Sequence, residues 1–240
     1  ELLGWDIRDF IFNKKIEQSP LVSIILYVSK MHILVLQSLE SLLKQKYTNL
    51  ELIIVLDHSM PLLEEKIIAL KPEKRIILLV NAQPNGKYRS WNRGLNYANG
   101  TFLTFQEQYY HSFNNRIEQQ VFFLLNNPSY YGVCCQGRPH FSNKLTTIYT
   151  SLFIHRTVIT KIGYFENIAY GALLKFHSRM LEEGLSIYIL EQQLVSCLAN
   201  FEKDVHNFQG EALLEYLVKK YIYSTQRSGF VEKTESLCLG

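Results

Sequence analysis

A chain of 240 residues that is 47% apolar and 20% charged carries enough apolar side chain for one sizeable core, and its composition is not that of a disordered polymer. A net charge of only +3, with no dense Lys/Arg cluster, argues against nucleic acid as a partner. No apolar run approaches the ~20 residues of a spanning helix, and no basic-then-apolar leader opens the chain, so the expectation is a cytoplasmic domain, or one peripheral to a membrane, without a transmembrane segment. Cys134, Cys135, Cys197 and Cys238 show neither metal-ligand nor redox-motif spacing, so reduced thiols are expected.

Residues 1–20 mix Trp5, Phe10 and Phe12 with charges and read as an N-terminal extension; a start on Glu1 rather than Met reads as an excised domain. VSIILYV at 22–28 is β-branched and apolar on both faces, the pattern of a buried parallel strand. Ile33, Leu36, Leu39 and Leu43 recur at helical spacing, and that helix is expected to stop near Tyr47 and Asn49. Residues 52–56 repeat the strand pattern and run into Asp57, His58 and Ser59. Strand, helix and strand at this spacing make a βαβ unit with a right-handed crossover. A short helix over about 62–70 ends at Pro72, and residues 75–80 form a third strand.

The stretch 85–120 organises the rest. Asn85 and Gly86 mark a turn, a helix carries Asn92, Arg93 and Gly94, and Asn99-Gly100 is a second turn. Residues 101–105 are an apolar strand that ends in a polar cluster before a helix over 115–126, whose apolar face is Ile117, Val121, Leu124 and Leu125. Open α/β sheets bind ligands outside the carboxyl ends of their strands, so a site is expected to include residues 106–111. Further strands are expected over 131–136 and 147–155, with a polar loop over 137–144 between them. A turn at 162–165, a helix over 171–183, a strand over 186–190, an amphipathic helix over 210–223 and a tail from 227 complete the chain. The fold class is α/β with a mostly parallel sheet. That class also accommodates a generic doubly wound nucleotide or small-molecule binder, although no G-X-G-X-X-G, Walker lysine or G-X-S-X-G accompanies it.

The run Asn92-Arg93-Gly94-Leu95, then Gly100, then a strand ending Thr104-Phe105-Gln106, resembles family 2 glycosyltransferases, which have the GT-A fold. The nearest likeness is to the glycosyltransferase-like domains of bacterial capsule and polysaccharide synthesis. The resemblance covers about residues 21–180. It implies a GT-A domain over 21–226, flanked by the extension 1–20 and the tail 227–240, with a mostly parallel mixed sheet between helices. It also implies a nucleotide-diphosphate-sugar donor, and a glycan acceptor or partner protein domain. Nucleotide binding is implied for Asp57, Ser29, Arg89, Asn92 and Arg93. At Asp57 the reason is that a carboxylate only accepts hydrogen bonds, whereas a uracil N–H or ribose hydroxyl donates.

The family's Asp-X-Asp holds Mg²⁺ or Mn²⁺ on the donor diphosphate; here it falls on Glu107, Gln108 and Tyr109, which leaves Glu107 as the metal candidate with His111 as a softer neighbour. Leu56 stands where the family has the first Asp of the turn at Asp57. In IGYFENIAYGALLKFHSRM, Leu173 and Lys175 stand where acids would serve as the general base. Acids lost at three places imply a degenerate, noncatalytic domain that acts as a binding or scaffold module. The alternative is an active, metal-independent transferase in which Lys30, Arg89, Arg93 or Lys175 neutralises the departing diphosphate.

Overall fold

In the computed structural model, residues 19–70, 76–138, 145–168 and 171–197 are described. The expected helix over 210–223, the tail from 227, Cys238 and all but the end of the N-terminal extension lie outside the described residues. The elements in chain order are β1 (Val22–Val28), α1 (Ile33–Leu43), β2 (Leu50–Leu56), α2 (Pro61–Leu70), β3 (Ile76–Val80), α3 (Lys87–Tyr97) and β4 (Phe102–Glu107). There follow β5 (Tyr110–Ser112), α4 (Arg116–Asn126), β6 (Tyr130–Arg138), β7 (Thr146–His155), α5 (Thr157–Ile162), α6 (Ala172–Glu182) and β8 (Ser186–Cys197).

These strands form one sheet in the order β3-β2-β1-β4-β7-β6-β8-β5. The first four are mutually parallel. Beyond them β7 runs antiparallel to β4 and to β6, β8 runs parallel to β6, and β5 closes the edge antiparallel to β8. Alternation along the central strands explains their unbroken apolar sequences. Ile24, Leu26, Leu52 and Ile54 pack with Val35 and Leu39 of α1, Leu63 of α2 and Ile117 and Val121 of α4. Their neighbours Ile25, Ile53 and Val55 pack on the opposite face with Trp91 and Leu95 of α3, Val158 of α5 and Phe176 and Met180 of α6. Each such fully buried side chain contributes about 1.5–3 kcal/mol.

Gly94 lets α3 approach this sheet closely, since a Cβ there would lie 2.6 Å from Ile25 Cγ2. At the amino ends of the strands, the buried Glu51 carboxylate accepts from Ser23 Oγ at 2.6 Å and from Asn99 N at 2.5 Å, while Gly100 N donates to Ser23 Oγ at 2.7 Å. That network pins the turn into β4.

A second buried network lies between β4 and α4. The fully buried Arg116 donates to Gln120 Oε1, Gln106 Oε1, Ser112 Oγ, Thr104 Oγ1, Phe105 O and Ser151 O. Among the described residues no carboxylate accepts from it; neutral dipoles solvate the guanidinium. Gln106 in turn donates to Ser38 Oγ of α1 and Tyr110 O.

Several expectations need correction. The polar cluster after residue 105 is not a loop throughout: Gln106 and Glu107 complete β4, and residues 110–112 form β5, which exists by pairing with residues 195–197. Ile162, expected in a turn, is the last residue of α5, an element the spacing did not reveal. Gly137 and Arg138, expected in a loop, belong to β6, and residues 139–144 lie outside the described set. β8 extends to Cys197 rather than ending at 190.

Candidate functional site

The crevice at the carboxyl ends of β1, β2, β3 and β4 is built from residues that turn toward α3. Tyr27 pairs in register with Glu107 across β1 and β4. Asp57 follows β2 directly and is buried. Its Oδ1 accepts from Asn85 N at 2.8 Å, Gly86 N at 3.0 Å, Asn81 Nδ2 at 3.3 Å and Ser90 Oγ at 3.4 Å. Its Oδ2 accepts from the Tyr27 hydroxyl at 3.0 Å. Burial, followed by the adjacent Asp57 carboxylate, pushes the Tyr27 phenol far above its ordinary range, so it stays a donor. Asp57 therefore sets the turn that starts α3, where Gly86 takes a φ of 78° that other residues adopt only with strain.

Lys87 is the first residue of that helix. Its ammonium lies 3.3 Å from Glu107 Oε1, the two side chains being 14% and 16% exposed. It also sits 5.2 Å and 5.5 Å from the ring centroids of Tyr88 and Trp91, a cation–π setting. Next along the chain, Gln108 Oε1 accepts from Ser29 N at 2.7 Å and Lys30 N at 3.4 Å, so its side chain holds the loop after β1. His111 lies in β5, paired with Ser196, with its ring 5.8 Å from that of Phe113.

A hard divalent cation takes about six oxygen ligands and favours carboxylates. Here the strand end offers one carboxylate, already against an ammonium; Gln108 Oε1 is committed to backbone N–H groups, and Tyr109 has no carboxylate. Among the described residues no cluster of three or more His, Cys, Asp or Glu could hold a metal ion. The residues present do not fit a bound Mg²⁺ or Mn²⁺.

A family model described as Glycosyl transferase family 2 matches residues 33–183. The chain belongs to glycosyltransferase family 2. An uncharacterized glycosyltransferase of Haemophilus influenzae is 33% identical over 109 residues, 45% of this chain and 44% of the relative. The UDP-Glc:alpha-D-GlcNAc-diphosphoundecaprenol beta-1,3-glucosyltransferase WfgD of Escherichia coli is 33% identical over 107 residues, 45% of this chain and 42% of that protein. The match thus spans less than half the length of these curated relatives. The fold is GT-A: the mannosyltransferase PcManGT from Pyrobaculum calidifontis, solved in complex with GDP-Man and Mn²⁺, superposes at a TM-score of 0.70 with 17% identity, over 85% of this chain and 64% of that one. TarS 1–349 of S. aureus in complex with UDP-GlcNAc gives 0.65 with 13% identity, over 73% of this chain and 58% of that one.

In this glycosyltransferase-family domain, the residues expected to bind nucleotide have protein partners. Asn92 Nδ2 donates to Phe165 O at 2.7 Å and its Oδ1 accepts from Phe165 N at 3.0 Å, which fixes the loop before α6. Arg93 donates to Val80 O at 2.8 Å and Asn81 Oδ1 at 2.6 Å, and Arg89 reaches Asn167 Oδ1. At the positions where the resemblance leads one to expect acids, Leu173 packs partly buried against the α3-side core, and Lys175 forms an exposed 2.8 Å pair with Glu166. Two residues later His177 is buried, and desolvation lowers its imidazole to about 4. The structure brings Tyr27, Asp57, Asn81, Lys87 and Glu107 to one end of the sheet. Of these, sequence reasoning named Asp57 and Glu107 and passed over Tyr27, Asn81 and Lys87; the signal for Lys87 is a cation directly after the turn glycine, at the helix end that faces the strand termini.

No helix among the described residues is long and apolar enough to cross a membrane.

Proposed function

We propose that this glycosyltransferase family 2 domain serves polysaccharide or capsule biosynthesis as a noncatalytic module, binding a glycan, a nucleotide or a partner protein domain, in the cytoplasm or at a membrane periphery. The observation that carries the reading is the Lys87–Glu107 pair at the end of β4, where the family's metal-binding acids would stand. Leu173 and Lys175 in place of the base-forming acids support it, because neither accepts a proton from a sugar hydroxyl at neutral pH. The likeness to WfgD supports the polysaccharide setting. The test is incubation with a panel of UDP- and GDP-sugars, with Mn²⁺ and with EDTA, followed by measurement of released nucleotide and of transfer to glycan acceptors. Rates at the uncatalysed background are expected throughout, and turnover of any donor overturns the reading.

The second reading, an active metal-independent transferase, is favoured by one observation, the Lys87 cation at the strand ends. It predicts turnover that EDTA leaves unchanged and that Lys87→Met abolishes.

A further inference from the structure

The crevice lacks an ion site but has kept a cation. Two carboxylates and a divalent ion sum to zero charge, and so do Glu107 and the Lys87 ammonium 3.3 Å from it. The position of Lys87 is set from below, because Asp57 holds the backbone N–H groups of Asn85 and Gly86 immediately before it. It is also set from the side, by the Tyr88 and Trp91 rings. An ammonium placed this way keeps a divalent ion from Glu107 by like-charge repulsion at short range. It presents N–H donors to phosphate oxygens as a point charge.

We infer that Lys87 is the resident cation of this crevice, tethered in the place of a divalent ion, so that the site takes a nucleoside diphosphate without metal. The inference rests on reading the crevice as an inherited nucleotide-sugar pocket.

Calorimetric titration of UDP and GDP into the wild type, Lys87→Arg and Lys87→Met, each in EDTA and in Mn²⁺, tests it. One of the two nucleotides is expected to bind the wild type in EDTA, with Mn²⁺ changing the affinity by less than about twofold. Lys87→Met is expected to weaken binding by about tenfold, the loss of one phosphate-directed charge, and Lys87→Arg to retain most of it. Absence of binding in EDTA, Mn²⁺-dependent binding by the wild type, or an unchanged Lys87→Met each overturns the inference. Electron paramagnetic resonance of Mn²⁺ gives a readout independent of nucleotide. Tyr109→Asp with Lys87 present is expected to leave Mn²⁺ free, and Tyr109→Asp with Lys87→Met to bind it, thermal melts confirming that both are folded. Mn²⁺ bound equally by the two variants overturns the exclusion argument. Metal-free binding with donor turnover would overturn the noncatalytic reading and leave this inference standing; metal-dependent binding without turnover would do the reverse.

Discussion

Asp57→Ala separates a structural carboxylate from a ligand-binding one. The side chain accepts from Asn85 N, Gly86 N and the Tyr27 hydroxyl at 2.8–3.0 Å, with Asn81 and Ser90 at longer range. A buried donor left without an acceptor costs about 1–3 kcal/mol. The two backbone N–H groups are only partly buried and regain water, so they belong at the lower end, and Tyr27 adds a similar amount. The sum is about 3–5 kcal/mol, which for a domain of this size lowers the melting temperature by roughly 10 °C. Asp57→Asn keeps one oxygen for the turn, and the Tyr27 hydroxyl can rotate to accept from the new amide, so it should cost about 1 kcal/mol. Urea and thermal unfolding of the three proteins measure this directly. An Asp57→Ala variant that melts within about 2 °C of the wild type would refute the view that this carboxylate is spent on starting α3, and would return it to ligand binding.

Three other outcomes follow from the packing. Gly94→Ala removes an unfavourable helix-interior glycine, worth about 1 kcal/mol, but places a Cβ 2.6 Å from Ile25 Cγ2 and 3.4 Å from Ile25 Cγ1 and Val55 Cγ2; overpacking of about 1–3 kcal/mol wins, and chemical denaturation should show a net loss. His177 falls to about 4 in the folded chain against 6.5 unfolded, so the unfolded chain takes up the extra proton between those values. Stability present above pH 6.5 is lost as pH falls toward 4, on the order of 3 kcal/mol, and His177→Leu should flatten that part of the stability-against-pH curve. Burial raises the thiols of both Cys134 and Cys135, so native-state alkylation should modify the half-exposed Cys197 well before either of them, as peptide mapping would show.

The parallel half of the sheet was legible because strands covered on both faces read as continuous apolar runs, and VSIILYV and ELIIVL admit few other structures. The short edge elements were not. β5 has three residues and is held by β8, a contact invisible in local pattern, and TVITKI is too short to display a helical period. The second half of β8, EQQLVSC, alternates poorly, and its pairing partners at 110–112 and 136–138 lie far away in sequence. At the site, residue type announced hydrogen-bonding capacity but not direction. Asn92 and Arg93 have the chemistry to hold a nucleotide, yet in the fold they hold the backbone of Phe165 and Val80. Lys87 alone reads as a solvated helix charge, and it gains meaning when β4 brings Glu107 beside it.

Along β4 the side chains divide by parity. Thr104 and Gln106 point to one side and wire Arg116 into the interior, while Leu103 and Phe105 pack on the other and Glu107 meets Lys87. Architecture and chemistry are thus written on the same few residues in two interleaved registers. An exchange of the side chain at 107 leaves the interior wiring intact, whereas one at 106 dismantles it and reaches the strand end only through Ser38 Oγ, which accepts from Gln106 and donates to Glu107 O. A pocket arranged this way can change its cation and its ligands while the sheet beneath keeps its shape.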